Sequence, residues 1–552
     1  MNEREIDGIL FKNMLVSGLY SLKAELEKIN NLNVFPIPDG DTGDNMYSTL
    51  YGGVKMLSDG EEYILSTVAK PVGEGVLLGA RGNSGVILSQ FLSGITEEFS
   101  LRERADISAL SRAFDRGVQK AYGSVSEPVE GTMLTVLREA TAYANKNITK
   151  NSTVASYFSD FLKEGNISLE NTPELLPVLK EAGVVDSGGA GVLCIVNGFL
   201  SAAKGESAGA FSELAVASSA KDIDFSLFNE NSVMEFGYCT EFLLQLTHAK
   251  TDLAAFSLEK MKEEISVFGD SLVAVKTGSV VKIHIHTLTP GAVLGYAQAF
   301  GEFLTVKIEN MTLQHNETVV KKQNVFRKNL TRKRFATIAV ADGEGLASVF
   351  NELGAALVID GGQGNNPSVE IFLNAFDAVN SDVIFVLPDN GNVMLAAKEA
   401  AALYKKSEVR VIDADSMGDG YTALSALDYS LDDADEIAEA MQSDIDCSVC
   451  ASVSRSIRDT SAGELKIKDG EYIGFVDKEI LVAHKDKVSA AEELTKKLNA
   501  EAKNFLIAFY GRGVTREERK QFEKFIAESY PSVEFYGMDG GQEVYDFILV
   551  LQ

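Results

Sequence analysis

The sequence is poor in several residue types, and each shortage argues against a class of protein. Its four cysteines, at positions 194, 239, 447 and 450, are too few for a disulfide framework and fit a reducing compartment. The 51 Lys and Arg residues are outnumbered by 80 Asp and Glu residues, which gives a formal net charge of −29. Because nucleic-acid binding requires clustered basic residues, we expect no nucleic-acid partner.

Long apolar runs are missing as well. No stretch of about twenty apolar residues occurs, so the sequence predicts no membrane span. The charged residues Glu3, Arg4, Glu5 and Asp7 stand where a signal peptide would have its apolar segment. Together with the low cysteine content, these features predict a cytoplasmic protein.

The chain is long and has enough apolar residues for several hydrophobic cores. It has 552 residues, of which 45% are hydrophobic, so we expect roughly two to four domains. In the first region, 1–206, apolar residues recur at spacings of three and four, with no convincing strand between the helical stripes. This spacing predicts an all-helical domain, followed by a linker in the Ala-, Ser- and Gly-rich stretch 202–222.

The pattern changes twice after this helical region. Region 223–320 shows the order strand, helix, strand, strand, helix, strand, which predicts a ferredoxin-like split βαβ domain of the α+β class. A basic stretch, 321–333, is typical of a second linker. Region 334–552 alternates short apolar runs with helical segments, which predicts an α/β domain with a parallel, doubly wound sheet.

The most informative motif is the turn at 33–45, which contains Asp39 and Asp41 between glycines and prolines. Two carboxylates on such a turn make a site for a hard cation. Mg²⁺ takes one or two protein carboxylates and completes its coordination with water and substrate phosphates. The motif therefore predicts nucleotide chemistry, although Asp and Gly also dominate ordinary turns.

Three further glycine-marked loops precede helical segments, at 79–85, 131–133 and 186–191. Unpaired backbone N–H groups at a helix start bind phosphate. In the first of these loops Arg81, Asn83 and Ser84 can add side-chain donors, and the lysine of a P-loop is absent. Each loop alone is equally well interpreted as a tight turn.

The middle region holds a second group of candidate residues. His284 and His286 lie two apart on the predicted third strand, and Cys239 lies on the first strand, its expected neighbour. One cysteine with two histidines suits Zn²⁺, but a small buried cysteine beside ordinary strand histidines is an equal alternative. His248 and His315 have no patterned partner, and we expect them at the surface.

Two weaker motifs occur in the third region. The loop from Asp360 to Ser368 follows a predicted strand, where α/β sheets commonly bind ligands, but Ser368 is equally suited to capping the next helix. The pair Cys447 and Cys450 has no second pair near it, and we interpret it as incidental.

In this order, the four loops resemble the nucleotide-binding domain of the dihydroxyacetone kinase family. The whole chain more closely resembles the kinase subunits of bacterial fatty acid kinases. The resemblance implies an eight-helix barrel that holds ATP through Mg²⁺. It further implies transfer of the γ-phosphate to a fatty acid carried by a separate binding protein, an acyl phosphate product used in phospholipid synthesis, and a homodimer. The third domain is implied to dock the fatty-acid-binding partner.

The resemblance also implies roles for individual residues. Asp39 and Asp41 match the catalytic metal-binding aspartates, while Cys239, His284 and His286 match residues needed for activity, which favours zinc. Nucleotide-contacting positions are implied at Thr42, Gly43, Asp44, Asn45, Arg81, Asn83, Ser84, Thr132, Met133, Asp186 and Gly188. The chain departs from the family pattern at Asn33, where the sugar kinases have another metal aspartate nearby, and at Asp44, where fatty acid kinases usually have Thr.

Two other functions fit the same motifs. One is a triose or polyol kinase, against which the sequence shows no companion sugar-binding domain with a suitable histidine. The other is a regulatory scaffold whose bound nucleotide is structural.

Overall fold

The computed structural model describes residues 3–32, 37, 40–58, 63–206, 238–253, 256–277, 279–310, 331–463 and 465–552. Within the middle region, only the backbone is described at Cys239, His284 and His286. The chain forms two compact units. One comprises 1–212 together with 326–552, and the other comprises 213–325. The predicted linkers fall mostly outside the described residues, as do Asp39, Asn33 and His315.

The N-terminal part of the first unit, called the helical lobe, contains eight long helices and two short ones among its described residues. They are α1 (Gly8–Ala24), α2 (Leu26–Asn30), α3 (Thr42–Val54), α4 (Leu65–Leu78), α5 (Gly82–Phe99), α6 (Ile107–Gly123), α7 (Met133–Lys146), α8 (Val154–Leu175), α9 (Pro177–Ala182) and α10 (Ser187–Ala203). Two strands of two residues, β1 (Glu5–Ile6) and β2 (Ala105–Asp106), pair antiparallel. The expectation of no strand here was wrong, because so short a pair leaves no alternating pattern in the sequence.

The helical lobe has one continuous apolar core. Helix α1 packs closely on α10, where a side chain at Gly198 would overlap the carbonyl of Ser17. Aromatic rings fill the space between α5, α6 and α8, with Phe114 in edge contact with Phe91, Tyr157 and Phe161. This core holds the N-terminal ends of several helices in fixed positions.

The second unit contains four antiparallel strands and two α-helices among its described residues. They follow the order β3 (Tyr238–Leu246), α11 (Leu258–Ile265), β4 (Gly269–Thr277), β5 (Val280–Thr287), α12 (Pro290–Gln298) and β6 (Gly301–Asn310). The strand order in the sheet is β4-β5-β3-β6, so the first and third strands in sequence are neighbours. Phe242, Ile283 and Ile285 are buried in its core, while His248 is exposed, as expected.

The C-terminal part of the first unit, called the α/β lobe, begins with a parallel sheet. Its strands β7 (Lys333–Ala341), β8 (Leu357–Asp360), β9 (Ser381–Leu387) and β10 (Glu408–Val411) lie in the order β10-β9-β7-β8. Five helices accompany this sheet: α13 (Glu344–Glu352), α14 (Val369–Val379), α15 (Met394–Leu403), α16 (Met417–Ser425) and α17 (Ala434–Cys447). The predicted multidomain chain with a helical first domain and an α/β third domain is confirmed.

The remaining residues of the α/β lobe form a second sheet instead of extending the first. Strands β11 (Val449–Arg455), β14 (Tyr472–Val476), β15 (Glu479–His484), β16 (Phe505–Tyr510), β17 (Glu534–Asp539) and β18 (Tyr545–Leu551) lie in the order β15-β14-β11-β18-β16-β17. A small pair, β12 (Thr460–Ala462) and β13 (Leu465–Ile467), stands apart, and helices α18 (Lys487–Lys497) and α19 (Arg516–Ser529) follow. Only the pairing of β16 with β17 is parallel in this six-stranded sheet.

Two further findings concern membrane-spanning helices and the pair Cys447 and Cys450 among the described residues. None of the helices in these residues has the length and apolar character needed to cross a bilayer. Cys447 ends α17 and Cys450 lies on β11, and both thiols are free.

Candidate functional site

Four helix N-termini meet in the helical lobe. The Ser187 hydroxyl at the start of α10 donates to Thr42 Oγ1 at the start of α3, at 3.2 Å. Gly82 opens α5 so close to α3 that a side chain there would clash with the amide of Asn45. A Cβ at Gly188 would lie 2.7 Å from the Met133 methyl group at the start of α7. The four glycine-marked loops are thus brought together, and their helix dipoles favour a bound anion.

The turn before α3 is fixed by Asn30, which ends α2. The Asn30 oxygen accepts a hydrogen bond from the Gly43 backbone at 2.7 Å, and its amide nitrogen donates to Asp44 Oδ2 at 2.8 Å. The Gly43 N–H and the Asp44 carboxylate are therefore already engaged. Asn30 was not a candidate in the sequence. Nothing in the pattern indicates that an asparagine at the end of a helix forms hydrogen bonds with a turn 13 residues away.

Asp41 is the carboxylate that this turn presents. It is 9% exposed, and burial raises its pKa to about 6, with a smaller contribution from repulsion by Asp44. Hydrogen bonds from Asn45 and Asn366 oppose this shift. No Lys or Arg is among the described groups that shift the pKa of Asp41, so its charge is costly without a bound cation. Asp41 fits the expected Mg²⁺, whereas Asp39 lies outside the described residues.

The loop before α5 depends on backbone geometry. Gly82 has a φ of +55°, a left-handed conformation that favours glycine. Arg81 precedes the helix, and burial lowers its pKa. The Asn83 amide donates to the carbonyl of Gly391 at 3.3 Å, while its own oxygen is buried without a hydrogen-bond partner. Ser84 lies in the first turn of α5.

The other two loops are held by capping hydrogen bonds. Thr132 caps α7, and the preceding Gly131 N–H donates to Thr135 Oγ1 at 2.8 Å. Asp186 caps α10 by accepting from the Gly189 N–H at 2.6 Å. Burial raises the pKa of Asp186 to about 6, although the backbone N–H groups of Gly189 and Met133 oppose the shift.

The α/β lobe contacts these loops directly. Asn366, on the loop between β8 and α14, donates to Asp41 Oδ2 and is 2% exposed. The Val369 N–H donates to the carbonyl of Ala80 at 3.1 Å. Ser368 caps α14 by accepting from the Ile371 N–H at 3.3 Å, which confirms the capping interpretation of this serine. The sequence could not reveal the Asn366 contact, because the two residues are 325 positions apart.

In the second unit the backbone register places the predicted cysteine and histidines on neighbouring strands. Cys239 pairs with His286, and Glu241 pairs with His284. No group of three His, Cys, Asp or Glu side chains arranged to hold a metal occurs among the side chains that the structure describes. Cys239, His284, His286 and Asp39 are not among them.

Three family models match successive parts of the chain. A DAK2 domain matches 36–201, the middle domain of the FakA-like fatty acid kinase family matches 235–318, and the C-terminal domain of the same family matches 336–552. The protein YloV of Bacillus subtilis is 36% identical over 561 residues, which cover 100% of both chains. The chain belongs to the FakA-like fatty acid kinase family. All four loops of the helical lobe, from Asp41 to Gly189, lie inside the DAK2 match.

Two solved structures each match part of this family member. DegV, a fatty acid binding protein from Bacillus subtilis, covers 40% of this chain and 100% of its own, with a TM-score of 0.32 and 12% identity. The dihydroxyacetone kinase of C. freundii, solved with AMP-PNP and Mg²⁺, covers 34% of this chain and 33% of its own, with a TM-score of 0.27 and 20% identity.

Proposed function

We propose that this protein transfers the γ-phosphate of ATP to the carboxylate of a fatty acid presented by a separate fatty-acid-binding protein, yielding ADP and an acyl phosphate. The observation that carries the proposal is the meeting of four helix N-termini beside the buried Asp41. Such an arrangement supplies backbone donors for phosphate oxygens and a carboxylate for Mg²⁺. Family membership supports a kinase, and the family resemblance supports a cytoplasmic homodimer.

The residues of the site divide the work. Asp41, with Asp39, would hold Mg²⁺, and the ion would neutralise negative charge on the phosphates of the nucleotide. Thr42, Asn45, Ser84 and the helix starts orient the phosphate chain. An oxygen of the fatty acid carboxylate forms the new bond to the γ-phosphorus, and the bond to the oxygen bridging the β- and γ-phosphates breaks. Because the carboxylate is already ionised, the chain needs no strong general base.

Finer features of the fold belong to the same proposal. The eight long helices of the helical lobe support the eight-helix barrel that the family resemblance implies. The strand order β4-β5-β3-β6 supports a ferredoxin-like middle domain. We assign 1–206 to nucleotide binding, 223–320 to the domain with Cys239 and the two histidines, and 334–552 to docking of the fatty-acid-binding partner.

We also propose that Cys239, His284 and His286 bind zinc in the middle domain. The direct pairing of Cys239 with His286 supports this, because opposite residues of antiparallel strands are close neighbours. Purified protein is then expected to hold about one zinc per chain, which Cys239→Ala removes. Cys194→Ala, a substitution in α10, is the control and is expected to retain the metal. Metal analysis that finds no zinc in the wild type would remove this assignment.

The decisive experiment measures ATP consumption by the full chain with and without fatty acid, in the presence of a fatty-acid carrier. Turnover that requires both fatty acid and carrier, and that Asp41→Ala abolishes while the protein stays folded, is the expected result. Turnover with a triose or polyol instead would favour a sugar kinase. Nucleotide binding without turnover on either substrate would favour a regulatory scaffold.

A further inference from the structure

The contact between Asn366 and Asp41 joins the two lobes at the centre of the candidate site. The Asn366 amide nitrogen donates to Asp41 Oδ2, and the side chain is almost completely buried. The amide oxygen of Asn366 is also buried, yet it has no hydrogen-bond partner. An asparagine from the α/β lobe thus faces the carboxylate expected to hold the cation.

Asn366 is held firmly in this position. On its C-terminal side, Val369 donates to the Ala80 carbonyl at 3.1 Å, and Ser368 caps α14. Lys55 of the helical lobe approaches Glu370 at 3.9 Å, a half-exposed pair that contributes little. The amide is therefore positioned by backbone contacts, and we expect it to remain at Asp41.

At the contact between the lobes, the two asparagines whose amide groups cross it each have a buried oxygen without a donor. They are Asn366 and Asn83, and the amide nitrogen of each contacts the opposite lobe. Buried polar atoms in native proteins nearly always have a partner. Amide and carboxylate oxygens are ligands that hard divalent cations prefer. A cation next to Asp41 would therefore give the Asn366 oxygen a partner once that oxygen faces the carboxylate.

We propose that Asn366 is a ligand of the cation held by Asp41, so that the α/β lobe completes the metal site of the helical lobe. The inference rests on the proposed function, which assigns the cation to Asp41. In the structure the Asn366 amide is turned with its N–H toward the carboxylate. Because the two ends of an amide have nearly the same shape, a half-turn of the group presents the oxygen to the cation and moves the nitrogen to the position that the unpaired oxygen holds now.

The test separates metal binding from nucleotide binding. The affinity of the full chain for ADP is measured by calorimetry in EDTA and in Mg²⁺, without fatty acid or carrier. For Asn366→Ala we expect the ADP affinity in EDTA to equal that of the wild type. The factor by which Mg²⁺ increases the ADP affinity is expected to fall about tenfold or more, since altering a metal site commonly costs 10- to 100-fold. Asn365→Ala, at the exposed neighbouring asparagine, and Lys55→Ala are expected to behave as wild type.

A second variant keeps the test decisive if Asn366→Ala does not fold. Asn366→Asp retains an oxygen ligand but adds a charge beside Asp41, so its Tm is expected to fall in EDTA and to recover in Mg²⁺. If Mg²⁺ increases the ADP affinity of Asn366→Ala more than that of the wild type, Asn366 excludes the cation and the proposal is overturned. The proposal is also overturned if Mg²⁺ increases both affinities equally, or if Mg²⁺ does not restore the Tm of Asn366→Asp. If wild type itself binds no ADP, the proposed function fails instead.

Discussion

Stability and function favour opposite charge states of Asp41. Its burial makes the ionised carboxylate costly, while the proposed chemistry needs that charge to hold a cation. A residue in this position stabilises the complex with metal and destabilises the protein without it. Sites that bind substrates often contain such locally unfavourable groups.

A neutral residue at position 41 tests this balance. For Asp41→Asn we expect a Tm, measured without metal or nucleotide, equal to or above that of the wild type, because the buried charge is removed and the amide still accepts from Asn366. The rise in Tm that Mg²⁺ and ADP give the wild type is expected to disappear. A variant that unfolds more easily without ligand would contradict this account of Asp41.

Asp186 provides a pH-dependent prediction. Its pKa is raised from 3.8 to about 6 by burial, so the folded protein binds this proton more tightly than the unfolded chain. The resulting stabilisation is complete below about pH 4 and is lost as the pH rises through about 6. Relative to Asp186→Asn, which keeps the helix cap, the wild type is expected to lose up to about 3 kcal/mol between about pH 4 and 7. Urea unfolding of both proteins measures this difference, and parallel pH profiles would refute it.

The candidate residues differ in how far the sequence could reveal them. Asp41, Thr42 and Asp186 stand in glycine-marked loops, so their residue types and neighbours are visible locally. Asn30 and Asn366 look like ordinary surface residues, because the role of an asparagine depends on what faces it in the fold. Asn366 meets Asp41 only through the packing of the two lobes.

The helix starts explain why glycines mark the site. Each glycine-rich turn lets a helix begin where another helix already stands, as at Gly82, where a side chain would meet Asn45 and would come within 3.3 Å of the Asn366 amide. Close approach of four helix starts is then a consequence of small residues at their first turns. The dipoles that favour an anion follow from the same geometry.

Substitution at Gly82 separates backbone strain from close approach. Gly82→Ala is expected to lose about 1 to 2 kcal/mol of stability from its left-handed backbone, more from the clash with Asn45, and most of its ADP affinity. Gly205→Ala has a similar φ of +69° but open space around it, so it carries only the strain. Urea unfolding and calorimetry on both variants measure the two effects. Equal stability and equal ADP affinity would show that the approach at Gly82 is unimportant.

Prediction from the sequence worked best for long elements. The helices of the helical lobe and the strands β7 to β10 were visible as periodic or continuous apolar segments, since burial of one face determines their pattern. The division of the α/β lobe into two sheets was not visible in the sequence, because β11 pairs with β18, almost a hundred residues later. Strand partners are set by contacts of this kind, which no local pattern encodes.

At the scale of the whole molecule, the α/β lobe covers the loops of the helical lobe at several points. Asn366 and Gly391 contact Asp41 and Asn83, and Ile37, just before the site, is buried in one cluster with Ile473 and other residues of the second sheet. Two sequence-distant lobes therefore form one compact unit around the candidate site. Nucleotide bound between them would be in contact with both.

Hydrogen exchange tests whether the lobes respond together. Adding Mg²⁺ and ADP is expected to slow exchange in the helix starts of the helical lobe and also in 361–369 and 389–393 of the α/β lobe, because these segments contact the site loops. Helix α19, which packs on the six-stranded second sheet of the α/β lobe, is the internal control and is expected to exchange at an unchanged rate. Protection confined to the helical lobe would mean that the α/β lobe does not close on bound nucleotide. If both lobes are protected in the wild type, and Asn366→Ala loses protection only in 361–369 and 389–393, then Asn366 is the residue that links the two lobes.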